Sequence, residues 1–167
     1  MSAAGAASGG YRILDEPRPG ALARWAVNPL WPLLAIMFGG AWISWPWFAV
    51  NAFAIGSPTR WRELALAVGG FVGTAALFFA LLTAEANGLL GGVAIEYAVV
   101  FLVVWKLAVS YWLFVLQGRT FGLFEYFHGS TRNGMLVVFA GYFLSRRLFP
   151  FIDSLEPWGV VLRVVLQ

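Results

Sequence analysis

The run GVAIEYAVVFLVVWKLAVSYWLFVLQ, residues Gly92 to Gln117, is long enough to cross a bilayer as one helix, yet it carries Glu96, Lys106, Ser110 and Gln117. On a helix turning about 100° per residue, with Glu96 as zero, Ser110 falls at about −40°, Gln117 at about −60° and Lys106 at about −80°. The strongly polar residues of the span therefore share one stripe. Hydrocarbon offers such a stripe nothing, so it is expected to face other helices or a wet cavity.

The remainder of the chain has the same membrane character. Of its 167 residues, 60% are hydrophobic and 11% charged, against about 25% charged in soluble domains. This length suits one compact helical unit. With no cysteine, disulfides, thiolate metal sites and cysteine nucleophiles are excluded. A net charge of +3 is too small and too scattered for nucleic acid, and lipid phosphate is its more natural partner. Ten arginines beside a single lysine, with abundant Ala and Gly, suit a bacterial origin, an argument from codon usage rather than physics.

Residues 1–28 read as a flexible and juxtamembrane arm, with Arg12, Arg18, Arg24 and Trp25 near the headgroups. Asn28-Pro29 is a helix start, a capping residue followed by proline at the first helical position. The first span is expected over 29–55, kinked at Pro46, where a backbone donor is missing. A re-entrant hairpin bending at Trp45-Pro46 is the alternative. Trp31 at one end and Trp42, Trp45 and Trp47 farther along suggest two aromatic belts, with the stretch after Trp47 at the interface.

A turn at Gly56-Ser57-Pro58-Thr59 leads to Arg60, Trp61, Arg62 and Glu63, expected to anchor the second span, 64–84, at the surface. Gly69 and Gly73 form a GxxxG pair on that span and predict a close helix neighbour. The organising span, 92–117, comes third. Residues 118–133 read as the longest loop, with an interfacial helical turn in its middle, and the fourth span covers 134–152. The tail, 153–167, is too short to cross and is expected at the interface or docked on a partner. The predicted fold is thus an all-α integral membrane protein with about four transmembrane helices in a compact bundle, plus interfacial segments. Alternation of four spans puts six arginines on the side of the termini and four opposite, which favours both termini cytoplasmic in a bacterial inner or plasma membrane.

Three constellations could carry chemistry. Glu96 and Arg146 or Arg147 lie at matching depths on antiparallel spans, so an interhelical ion pair is predicted there, with Glu85 able to join. Such a pair is met equally well by a device that fixes helix register. Lys106, in mid-span, lies about 15 Å along the helix from Glu96 and needs another partner: Thr74, Tyr142, Ser44, a backbone carbonyl, an aromatic face or another subunit. Arg119, Glu125, His128 and Arg132 form a candidate phosphate-facing loop. One histidine in the whole chain cannot build the paired Glu-x-x-His sets of di-iron bundles. Nucleophile-elbow, HExxH and Walker A patterns are absent, so no catalytic residue, metal or cofactor is assigned.

The leading functional expectation is a non-enzymatic subunit or assembly factor of a membrane complex, partnered by other membrane subunits or by copies of itself. The alternatives are an ion- or proton-coupled transporter or channel component using Glu96 and Lys106, and a lipid-headgroup enzyme using the 119–132 loop.

Overall fold

The computed structural model describes residues 21–89, 91–128, 130–154 and 159–167, and of His128 the backbone alone. Arg12 and Arg18 of the expected arm lie outside the described residues. A short 3-10 helix at Ala21–Trp25 precedes six α-helices: α1 Leu30–Phe38, α2 Ala41–Ala54, α3 Arg60–Ala86, α4 Gly92–His128, α5 Met135–Asp153 and α6 Gly159–Leu166. Three of them, α3, α4 and α5, are long and apolar enough to cross a membrane, running to about 40, 55 and 28 Å at 1.5 Å per residue. The described residues therefore contain three candidate spans.

The expected first span is where sequence and structure part. Residues 29–55 form two helices, about 14 and 21 Å long, each short of the ~30 Å hydrocarbon thickness. The start follows the sequence signal: the Asn28 side chain accepts from the Leu30 amide at 2.9 Å. The break does not fall at Pro46, which sits inside α2. It falls at Gly39-Gly40, where Gly40 has φ +94° and ψ 177°, a region open essentially to glycine alone. From there the chain folds back. The Ser44 hydroxyl donates to Pro32 O at 2.8 Å, and the Val27 amide donates to Asn51 Oδ1 at 3.0 Å. Residues flanking the break thus pair across it, and α1–α2 is a helical hairpin with its tip at Gly39-Gly40.

This reversal rearranges the tryptophans. Trp31 and Trp47 do not mark two belts, because the fold-back brings both against Gly134: a Cβ there would meet Trp47 at 2.8 Å and the Trp31 ring and Cβ closer still. Trp45 is fully buried at the centre of the main core with Ile36, Ala41, Phe48, Ala67, Val109 and Leu113. Its ring meets Phe71 edge-on at 4.6 Å, and its indole N–H donates to Ser110 at 2.9 Å. Residues 48–55 turn one face to the interior too, since Phe48, Asn51, Ala52, Ala54 and Ile55 are buried while Val50 is exposed.

One end of the bundle gathers the start of the hairpin, the α2–α3 turn and the α4–α5 connection. A second core joins Ala26, Ala54, Ile55, Phe121 and Phe124 there, and the Arg132 amide donates to Ala26 O at 2.9 Å. Ala26 and Val27 are therefore buried wall rather than arm. The opposite end holds the C-terminal end of α3, the start of α4 and the C-terminal end of α5. From it α6 returns into the bundle, packing on α3, α5 and α2, until Leu166 and Gln167 reach the hairpin tip. The tail therefore docks within its own chain. Residues 118–128, expected as loop, continue α4 instead, because Thr120, Phe121 and Phe124 keep a buried helical face against the hairpin base.

The small-residue face of α3 is shifted by one position from the GxxxG pair. Gly73 meets Trp105 of α4, and Gly70 meets Trp45 and Val109, while Gly69 has open space before it. Glu63, Ala67, Gly70 and Thr74 are the buried residues of α3, a helical stripe of small and polar side chains. Gly69→Ala should raise the thermal unfolding midpoint slightly, since alanine favours a helix over glycine by up to about 1 kcal/mol. Gly73→Ala should lower it through the clash with the Trp105 ring. Gly40→Ala should cost about 1–3 kcal/mol, because its Cβ would sit 2.8 and 2.9 Å from the carbonyl oxygens of Gln167 and Leu166. Thermal denaturation in one detergent compares all three.

Candidate functional site

The stripe of α4 faces inward over much of its length, and its residues do different things. Gln117 and Ser110 are fully buried. Gln117 accepts from Asn51 Nδ2 at 2.9 Å and donates to Phe48 O at 2.6 Å. Asn51 uses its remaining oxygen on the Val27 amide. This network ties the base of the hairpin to α4 and leaves little capacity for a ligand. Ser110 serves likewise as the acceptor for Trp45.

Lys106 stands apart from these. Half-buried, it donates from Nζ to the carbonyl oxygen of Val164, near the C-terminus of α6. A cation is favoured there by the helix dipole and by carbonyls that lack partners of their own. Of the acceptors open to it from sequence, the backbone carbonyl is the one it uses. An ammonium has three donors, so this bond leaves two.

Lys106 borders an open cavity of about 870 Å³ lined by the hairpin tip, α3, α4, α5 and α6. Lys106, Arg146 and Arg163 are its charged lining residues, with Tyr142, Ser145 and Gln167 as polar neighbours. Arg163 is paired with Asp153 at 2.7 Å, and the Arg146 guanidinium lies over the Tyr142 ring at 5.3 Å. Lys106 and Arg146 have no carboxylate partner among the described residues. Ser145 fastens the tip: its oxygen accepts from Trp42 Nε1 at 3.0 Å and lies 2.6 Å from Gly39 O and 2.8 Å from Gly141 O, to one of which it donates.

The expected pair of Glu96 with Arg146 or Arg147 is not formed. Glu85, Glu96, Arg146 and Arg147 are all exposed, and the ion pair found among the described residues is Arg163–Asp153. Matched depth along two helices did not bring them together because α1 and α6 pack on α5 while α3 packs on α4. The 119–132 group is likewise dispersed. Arg119 and Glu125 are exposed on a continuous helix, Arg132 lies over the Trp25 ring at 5.1 Å, and the His128 side chain lies outside the described residues.

Glu63, taken from sequence as a surface anchor, is fully buried at the start of α3. Its Oε1 accepts from the Ser57 hydroxyl and from Thr59 Oγ1, the latter at 2.8 Å. Its other carboxyl oxygen is buried without a hydrogen-bond partner. A legible signal was the four-residue spacing of Thr59 and Glu63, which puts both on the face continued by Ala67, Gly70 and Thr74.

The hairpin network makes a direct prediction. Gln117→Ala strands the buried Asn51 side-chain amide and removes a second bond to Phe48 O, and should cost about 1–3 kcal/mol. Asn51→Ala should cost a similar amount. The double variant should fall short of their sum by about 0.5–3 kcal/mol, as read by unfolding in detergent. Comparison with family models, with curated proteins and with solved structures gives no match, so the functional reading rests on the geometry above.

Proposed function

We propose that this chain is a non-enzymatic integral membrane protein that holds an anionic ligand in the cavity beneath the hairpin tip, as a carrier or ligand-binding component of the membrane. The observation that carries this reading is the meeting of Lys106 and Arg146, two cations without carboxylate partners among the described residues, in one cavity. Discontinuous helices at membrane depth commonly mark binding sites, because interrupted backbone is tolerated only inside protein or along a cavity. Here the interrupted hairpin and the end of α6 converge on that cavity. Glu96 does not line it, so the reading does not require the Glu96–Lys106 couple anticipated from sequence.

Fold-back also reverses the orientation argument. Arg24, Arg60, Arg62, Arg119 and Arg132 belong to the hairpin-base end, whereas Arg146, Arg147 and Arg163 lie toward the other. Arginine bias then favours the hairpin-base end as cytoplasmic, with α6 entering from the opposite face.

A second reading, a subunit of a larger membrane complex, is favoured by Glu96 and Arg147, both exposed without partners among the described residues. Its test is mild-detergent purification from the native host. A stoichiometric partner or a homo-oligomer is expected, and Glu96→Gln or Arg147→Gln should weaken the association. A monomer without partners in every detergent tried would remove this reading.

For the ligand reading, solvent extraction of the purified protein followed by negative-ion mass spectrometry should release an anionic compound near one per chain. Lys106→Met with Arg146→Gln should reduce its occupancy at least fivefold. Equal recovery from wild type and variant would count against the cavity as its site.

A further inference from the structure

The geometry points to the class of ligand: we infer that the cavity takes the acyl chain of an anionic amphiphile, with its carboxylate or phosphate head at Lys106 and Arg146. This rests on the anion-binding reading and goes beyond it by requiring an apolar tail. The walls supply both halves. Beside the two cations the lining is largely apolar, including Phe78 of α3, Leu102 and Val103 one turn from Lys106, and Phe149 one turn from Arg146. A lining of two cations amid hydrocarbon side chains matches an amphiphile better than a small hydrated anion, which would leave the apolar wall unfilled. The volume of about 870 Å³ lies within the ~300–1,000 Å³ of small-molecule sites.

Access favours the same class. Met37, Phe38, Val99 and Val103 line the cavity and yet are 69%, 54%, 56% and 52% exposed. Their outer surfaces therefore belong to the flank of the bundle. No extended packing joins α4 to α5, which are bridged through α1. In a bilayer that flank faces lipid, so a ligand can pass sideways from the membrane with its chain in hydrocarbon throughout. Entry from water would strand those apolar rims.

The head contacts are chemically suited. Arg146 offers a planar fork of donors that matches carboxylate or phosphate oxygens, and its stacking on Tyr142 limits the freedom lost on binding. Lys106, fixed at its far end by Val164 O, presents its remaining donors as a point charge. Tyr142 and Ser145 are further polar groups of the wall. Among the described residues, neither Glu nor Asp lines the cavity.

The test uses the full chain purified in dodecyl maltoside and titrated under native mass spectrometry. Four probes are compared: oleate, palmitoyl lysophosphatidic acid, palmitoyl lysophosphatidylcholine and inorganic phosphate. The two anionic amphiphiles are expected to bind one per chain, at least tenfold tighter than the zwitterionic lysolipid, while phosphate shows no saturable binding. The tighter of the two names the head as carboxylate or phosphate. Lys106→Gln with Arg146→Gln should weaken both at least tenfold. Val103→Trp, at a half-exposed lining position where added bulk fills the cavity rather than the core, should weaken both at least fivefold with the thermal midpoint retained. Equal affinity for the zwitterionic lysolipid, or binding unaltered by Val103→Trp, would overturn the inference. Saturable binding of phosphate as tight as that of the amphiphiles would overturn it too, while sparing the anion reading. Absence of binding by every anion would bring down both.

Discussion

Backbone polar groups buried away from water must find partners inside the protein, and the interruption at Gly39-Gly40 sets that requirement for the whole structure. Gly39 O accepts from Trp42 Nε1 and lies 2.6 Å from the Ser145 hydroxyl, whose proton it shares as an acceptor with Gly141 O. The amides of Gly39 and Gly40 both reach Ala35 O. Along the two arms, Ser44 satisfies Pro32 O, and Asn51 satisfies the Val27 amide. Without these bonds a hairpin of two short helices would expose unpaired carbonyls and amides at a cost of several kcal/mol each. The tip further requires close approach, since no side chain fits between Gly40 and the last carbonyls of the tail.

The long α4 is the post to which this hairpin is tied, and its polar stripe is the means. Ser110 holds Trp45, and Gln117 holds Asn51 and Phe48 O. Each polar side chain is matched by one on α2, so specificity comes from directional bonds while Trp45, Phe48 and Leu113 supply the apolar burial. Lys106 lies one helical turn from Ser110 toward the hairpin tip, where its ammonium reaches Val164 O of α6. Its ammonium therefore meets a carbonyl and open volume rather than another fitted side chain.

That difference in surroundings separates stability from function within a single stripe. Near the hairpin base every polar atom of Asn51 and Gln117 has work inside the fold, although Glu63 nearby keeps one oxygen unsatisfied. At the tip, cations from three helices surround space. A hairpin entering from one end and α6 from the other also divide the bundle into two unequal faces.

Sequence alone determined the membrane character, the three long helices and the shared inner face of Ser110 and Gln117 on α4, though not the exposure of Glu96, because length, hydropathy and the 3.6-residue period are local properties. The caps at Asn28 and the extent of α5 were legible for the same reason. Hydropathy could not reveal that 29–55 folds back, since a buried hairpin and a single crossing are equally apolar; only a glycine's positive φ and the tail meeting it decide between them. The burial of Trp45 and Glu63, the dispersal of Glu96 from Arg146 and Arg147, and the acceptor for Lys106 all depend on which helices become neighbours. Those are long-range pairings, such as Lys106 with Val164, and spacing along the chain carries no record of them until the hairpin and α6 have been placed.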